Sequence, residues 1–425
     1  MSATAEAANA ARTTRATTAG IDRRAIATLA VGHACVDVTQ GAVPALIPFL
    51  IHDRHWSYGA AGALVLAMTA SSSLLQPLFG WLADRRSLTW LLPGGVVLAA
   101  VGIALAGLLS ASAPLTFAFV ALAGLGVGAY HPEGARYANY VSGARRASGM
   151  SLYSVGGNAG FALGPIMVTP LVLAAGLHGT LWLLIPLLAV ALALARELPR
   201  LRGFHPERRV GAGRPAAAER APRPDRWRPF ARVAAIAGVR SGAYFGLQAF
   251  IPAYFIAHFG SSAGIANAAL TTVLVAGALG TLVGGRLADR VGRRRILVAC
   301  NAVLTPLLLL VLVVSEPAAF ALLALIGFFT VGTFSITVVL GQEYLPNRIG
   351  IASGVTLGAA IGVGGIVAAL LGQLADAVGL TTVLLVVAAL PLPAFALSLT
   401  LPRERARPRR PRALAATAGS VGSAD

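Results

Sequence analysis

Lysine is absent from all 425 residues, and that one absence removes a class of function. A Gly-x4-Gly-Lys-Ser/Thr phosphate loop needs a lysine on the nucleotide phosphates, so ATP-driven pumping by this chain is excluded. All 34 basic residues are arginine, a compositional bias that carries no mechanism. Cysteine numbers two, Cys35 and Cys300, each inside an apolar run. A disulfide framework is therefore not expected, and a thiol site has no companion ligands; both read as small buried hydrophobes. Charge is scarce as well, 12% of residues against 56% hydrophobic. No ordinary soluble domain carries that balance.

What is present comes in apolar blocks of about 20 residues, each long enough at about 1.5 Å per residue to cross a hydrocarbon core of about 30 Å. A transmembrane barrel would alternate over about ten residues, and a soluble bundle would show stripes rather than blocks apolar all round. The blocks predict an all-α polytopic membrane protein with twelve transmembrane helices. They fall near residues 25–50, 57–82, 90–110, 115–138, 146–174 and 179–197, then 231–257, 266–288, 294–314, 318–342, 349–377 and 380–401.

The net charge of +18 does not point to nucleic acid, because the arginines sit in connections and tails. If the first span leaves from the cytoplasm, the outward loops hold Arg54 alone, Arg240 lies inside a span, and the other 32 of the 34 arginines face the cytoplasm. That asymmetry predicts both termini cytoplasmic, in a plasma membrane of bacterial type. The first residues have no apolar core and do not form a signal peptide. The expected organisation is a disordered tail over 1–24, a six-helix bundle over 25–197, an Arg/Pro-rich linker over 198–230, a second six-helix bundle over 231–401, and a disordered tail over 402–425. The linker arginines can hold it against anionic lipid headgroups.

The two halves repeat. Leu82-Ala83-Asp84-Arg85 recurs as Leu287-Ala288-Asp289-Arg290, 205 residues later, and Ala147-Ser148-Gly149 recurs as Ala352-Ser353-Gly354 at the same offset. Pro48 and Pro252, 204 apart, lie at matching places in spans 1 and 7. The chain reads as a duplicated bundle. Two parallel six-span halves joined by a cytoplasmic linker resemble the major facilitator architecture. The loop Gly285-Arg286-Leu287-Ala288-Asp289-Arg290-Val291-Gly292-Arg293-Arg294-Arg295 is similar to that family's signature between its second and third spans. The first copy, Gly80 to Ser87, keeps Gly80, Asp84 and Arg85 but not the following Gly and basic cluster. The resemblance implies a cytoplasmic gate at Asp84, Arg85, Asp289, Arg290 and Arg293, although arginines there also serve topology. An aspartate at such a helix end can accept from the amides of a neighbouring helix.

Span 5 carries Gly156, Gly160 and Gly164 at four-residue intervals, then Pro165, a face on which another helix can pack closely. Gly160 to Pro165 also resembles the glycine-proline signature of proton-coupled drug exporters. With His33 and Asp37 in span 1, Tyr130 to Arg136 in span 4 and Ser151 to Pro165 in span 5, the chain resembles the fosmidomycin resistance family of exporters. That resemblance implies efflux of a small anionic or amphiphilic compound.

Ionisable groups inside spans are functional candidates by default. His33, Asp37 and Gln40 share one face of span 1, and Arg240, Tyr244 and Gln248 form a stripe at four-residue steps on span 7. The repeat offset sets Arg240 level with Val36, so Asp37 and Arg240 are expected at one depth, able to face each other across a central cavity. Asp37 is the expected proton carrier, and His33 either a relay or a packing group. Gln40, Arg240, Tyr244, Gln248, Ser154 and Asn158 are candidates for the substrate cavity. His131, Glu133 and Arg136 read as a second polar cluster, an interfacial helix end or part of the cytoplasmic gate.

A proton-coupled exporter of a small drug-like or anionic compound is the leading function, with an importer or facilitator of an anionic metabolite as the alternative on the same fold. A membrane-bound enzyme or sensor using His33, Asp37, His131 and Glu133 is a remote third, because those groups read as lying at different depths. No cofactor and no metal site is expected. The expected partners are the small-molecule substrate, protons and membrane lipids, with the chain a monomer.

Overall fold

The structure, a computed structural model, describes residues 20–85, 88–143, 145–204 and 224–403. Among them only helix and turn occur. The first half contains α1 (Arg23–Arg54), α2 (Tyr58–Arg85), α3 (Leu91–Leu108), α4 (Ala113–Val141), α5 (Arg146–Ala175) and, after a 3₁₀ segment at Gly176–Leu183, α6 (Leu184–Arg202). The second half contains α7 (Trp227–Tyr254), α8 (Ala263–Val291), α9 (Arg293–Val311), α10 (Glu316–Gly332), α11 (Phe334–Tyr344), α12 (Ile349–Ser353), α13 (Ala360–Val378), α14 (Leu380–Ala389) and α15 (Pro391–Leu399).

Ten stretches are long and apolar enough to cross a membrane, one of them the continuous Ser148–Arg202 run that holds both α5 and α6. The α7 segment, which carries Arg228, Arg232 and Arg240, is not among the ten. Three expected spans are interrupted. The tenth breaks at Thr333, the eleventh contains a π segment at Gly354–Ala359, and the twelfth breaks at Leu390 before Pro391. The expected linker over 198–230 is narrower in the described residues, since α6 runs on to Arg202 and α7 begins at Trp227. Most of the two tails and of the linker lies outside the described residues.

Local chemistry sets the ends. Asp22 caps α1 by accepting from the Ala25 amide at 3.0 Å and pairs with Arg200 at 2.7 Å. Burial works to raise the Asp22 carboxyl, but the Ala25 amide and the Arg200 guanidinium outweigh it and hold it below the ordinary carboxylate value. Helices stop at Gly260, Gly292 and Gly379, whose positive φ angles an L side chain would resist.

Helices α1 to α6 pack mainly on one another, as do α7 to α15, and the halves meet chiefly through α2 on α13 and α5 on α8. The tightest packing within the first half is α1 on α5. A Cβ at Gly156, Gly160 or Gly164 would overlap the backbone of Ala30, Ala34 or Gly41 respectively. Gly160→Ala is therefore expected to destabilise the protein by about 1–3 kcal/mol, the usual cost of overpacking, read as a lowered melting temperature in detergent.

Candidate functional site

The site begins with backbone carbonyls. His33 Nδ1 faces the Tyr153 carbonyl at 2.9 Å, and His131 Nδ1 faces the Val127 carbonyl at 2.8 Å. A carbonyl only accepts, so both rings carry hydrogen on Nδ1 and donate it. That fixes both tautomers with Nε2 turned inward. The two Nε2 atoms lie 3.1 Å apart. Asp37 closes the triangle, with Oδ2 at 3.3 Å from His33 Nε2 and Oδ1 at 3.5 Å from His131 Nε2. Two lone pairs and a carboxylate at these distances repel one another unless a positive charge sits among them. A cation among them, whether a proton or a metal ion, would meet that demand.

The surroundings close over Asp37 and His33 but leave His131 partly open, its side chain 24% exposed. Asp37 is 4% exposed and His33 is buried. The Tyr153 ring stacks on His33 with centroids 4.1 Å apart. Tyr130 donates from its hydroxyl to the Leu29 carbonyl at 2.6 Å, fixing α4 against α1. Gly157 supplies the remaining wall, and a Cβ there would meet the His33 ring and the Asp37 carboxylate. Gln40 Nε2 donates to Asp37 Oδ1 at 2.8 Å.

The structure divides the polar cluster expected at the end of span 4. His131 joins Asp37, while Glu133, fully buried, pairs with Arg136 at 2.6 Å. The reason is helical geometry, since residues two apart point to different sides. Convergence of these ligand types, judged improbable from sequence depth, does occur for His33, Asp37 and His131, whose ligand atoms lie within 4.8 Å of one another. That spacing suits either a proton or a divalent cation.

Arg240 does not meet Asp37. The partners of Asp37 are His33, His131 and Gln40, and among the described residues no carboxylate pairs with Arg240. Its guanidinium lies 5.0 Å over the Phe334 ring, and its Nε has no hydrogen-bond partner although the side chain is 6% exposed. A small void beside it is lined by Asn301, Leu304, Leu308 and Thr330. Tyr244, one turn on, packs edge-on against Phe245, with ring centroids 5.5 Å apart. Gln248 lines a cleft with Gln40. Of the span 5 candidates, Ser154 is exposed and Asn158 half-buried.

At the arginine-rich end, Arg293 joins Asp289 at 3.3 Å and also pairs with Glu343, tying α8, α9 and α11 together. Arg290 is exposed. The side chains of Asp84 and Arg85 lie outside the described residues. At this end the ion pairs among described residues stay within one half, for example Arg24 with Glu197 and Arg348 with Asp225.

The opposite end is shut by contacts that the sequence reading missed. Asp376, in the last turn of α13, accepts from the Tyr58 and Gly59 amides at 2.8 Å each. Asn267 of α8 donates to the Ala45 carbonyl and to Thr169 Oγ1, both at 3.0 Å. An acid in the last turn opposes its own helix dipole, which was the available sign that a partner helix compensates it. A lost cap of this kind costs about 1 kcal/mol, so Asp376→Ala is expected to shift the balance about fivefold toward opening at the arginine-poor end. Distances between spin labels at Ser57 and Val378 would read that shift.

The family model described as the Major Facilitator Superfamily matches residues 29–264 and 233–423. The chain is 31% identical over 400 residues to the fosmidomycin resistance protein of Escherichia coli K12, covering 93% of this chain and 96% of that protein. It is also 31% identical over 371 residues to YfnC of Bacillus subtilis 168, an uncharacterised transporter of the same superfamily, covering 86% and 89%. Among solved structures, it is similar to a bacterial homologue of the human lysosomal transporter Spinster in an inward-facing, occupied conformation, with TM-score 0.72 and 14% identity over 88% of this chain and 95% of that one. A variant of the nucleoside transporter NupG gives TM-score 0.69 at 14% identity, covering 88% and 99%.

Proposed function

The chain belongs to the major facilitator superfamily of membrane transporters, and on that premise we propose that it is a proton-coupled antiporter exporting a small drug-like or anionic compound by alternating access. It is a transporter and not an enzyme. In this reading twelve spans form two six-helix halves in a bacterial-type plasma membrane, with both termini and the arginine-rich end cytoplasmic. The state described above is then inward-facing, closed outside by Asp376 and Asn267.

The observation that carries the proposal is the pair of Nε2 atoms 3.1 Å apart beside Asp37. Such a trio holds one proton at low electrostatic cost and holds none at high cost, so its occupancy is bound to change with access and with neighbouring charge. In the inward-facing state the proton leaves to the cytoplasm and cargo binds. In the outward-facing state cargo leaves and a proton enters. Arg240, a buried cation without a carboxylate, receives an anionic group of the cargo. The resemblance to the fosmidomycin resistance protein supports export rather than import.

Inverted membrane vesicles containing the protein, with an acid interior and labelled fosmidomycin outside, test the reading. Accumulation that a protonophore abolishes is expected. Equal entry with and without the gradient would refute proton coupling, and gradient-driven loss from preloaded vesicles would favour import.

A further inference from the structure

His33, Asp37 and His131 have the composition and the spacing of a metal-ligand set. Their ligand atoms lie within 4.8 Å of one another. The two Nε2 atoms are 3.1 Å apart, and Asp37 presents Oδ2 at 3.3 Å to His33 Nε2 and Oδ1 at 3.5 Å to His131 Nε2. Tetrahedral zinc with nitrogen and oxygen ligands at about 2.0–2.1 Å has ligand-to-ligand edges of roughly 3.3 Å. The three separations are therefore those of a shell around one ion.

The layer behind the ligands is also in place. Each ring donates its Nδ1 hydrogen to a backbone carbonyl, His33 to Tyr153 at 2.9 Å and His131 to Val127 at 2.8 Å. Metal-binding histidines are commonly held in this way, by the nitrogen that does not meet the ion. Gln40 Nε2 donates to Asp37 Oδ1 at 2.8 Å and so orients the carboxylate. Gly157 keeps the space open, since a Cβ there would lie 2.6 Å from His33 Nε2 and 2.7 Å from Asp37 Oδ2. The His131 side chain, 24% exposed, leaves a way in. The donor set selects the ion as well, because two imidazoles favour a transition cation over magnesium or calcium, which prefer oxygen ligands.

We propose that His33 Nε2, His131 Nε2 and the Asp37 carboxylate bind one divalent transition cation of the zinc type, with water in the fourth position. The ion takes the lone pairs that a proton would use, so each excludes the other. All three ligands belong to α1 and α4 of the first half, so the ion does not bridge the halves. The site goes beyond the antiport reading and stands or falls apart from it, because binding is measured without transport.

The test uses full-length protein purified in detergent without a histidine tag, stripped of metal, and titrated with zinc against a chromophoric chelator. One zinc per chain is expected, at an affinity that excess magnesium does not change. His131→Gln and Asp37→Asn are each expected to weaken binding at least tenfold. A variant with the exposed His52, His178 and His258 all changed to Gln is expected to stay within threefold of wild type. X-ray absorption of the wild-type zinc form is expected to show two imidazoles in a nitrogen and oxygen shell, a readout that does not depend on how the variants fold. No stoichiometric zinc in wild type, a shell without two imidazoles, a loss below tenfold in either ligand variant, or an affinity that follows the exposed histidines would each overturn the site.

Discussion

Asp37→Asn is expected to carry cargo across the membrane in both directions without ever concentrating it. The amide nearly matches the carboxylate in shape, so the fold should survive. It cannot balance a proton on His33 and His131, whose Nε2 atoms stand 3.3 Å and 3.5 Å from the present carboxylate. One net charge moving down 100 mV supplies about 2.3 kcal/mol, which supports about a fifty-fold gradient at full coupling. The variant should lose all of that gradient and keep exchange. Vesicles assayed with and without an imposed pH difference would show two coincident uptake curves, where wild type shows two well-separated ones.

Arg240→Met is expected to move binding and stability in opposite directions. The guanidinium is buried without a carboxylate partner and has only the Phe334 face beneath it. Replacing a buried unpaired charge by an apolar side chain of similar length is neutral or stabilising, so the melting temperature should hold or rise. A hydrogen bond to a charged group is worth about 1.5–3 kcal/mol, so the half-saturating concentration of an anionic cargo should rise about 10- to 100-fold. A neutral analogue of the same cargo should be transported as before. Thermal unfolding in detergent together with uptake kinetics for the anion and its ester would check both halves of the prediction.

The membrane class was legible because block length is a one-dimensional property, whereas relative depth across spans was not, since His131 meets Asp37 despite an expected difference in depth. Apolar block length marks a span, and steps of three and four place His33, Asp37 and Gln40 on one face. Azimuth across helices was not legible. The repeat set Arg240 level with Val36 but could not say that Asp37 turns toward α4 and α5, where His131 and Tyr153 meet it. His131 was grouped with Glu133 and Arg136 because they are close in sequence, although a helix turns through slightly more than half a circle in two residues. The Asp376 and Asn267 contacts join helices hundreds of residues apart, and no local spacing encodes such pairs. Pro391 announced the break in the last span, and Gly332 stands directly before the break at Thr333.

The central claim is that cargo and a proton exclude each other at the Asp37 cluster. Its most direct measurement is proton release when purified wild-type protein in weakly buffered detergent solution is mixed with its cargo. The account predicts about one proton released per cargo molecule bound by wild type, and none from Asp37→Asn despite binding. Cargo binding to wild type without any proton release, or equal release from Asp37→Asn, would contradict it.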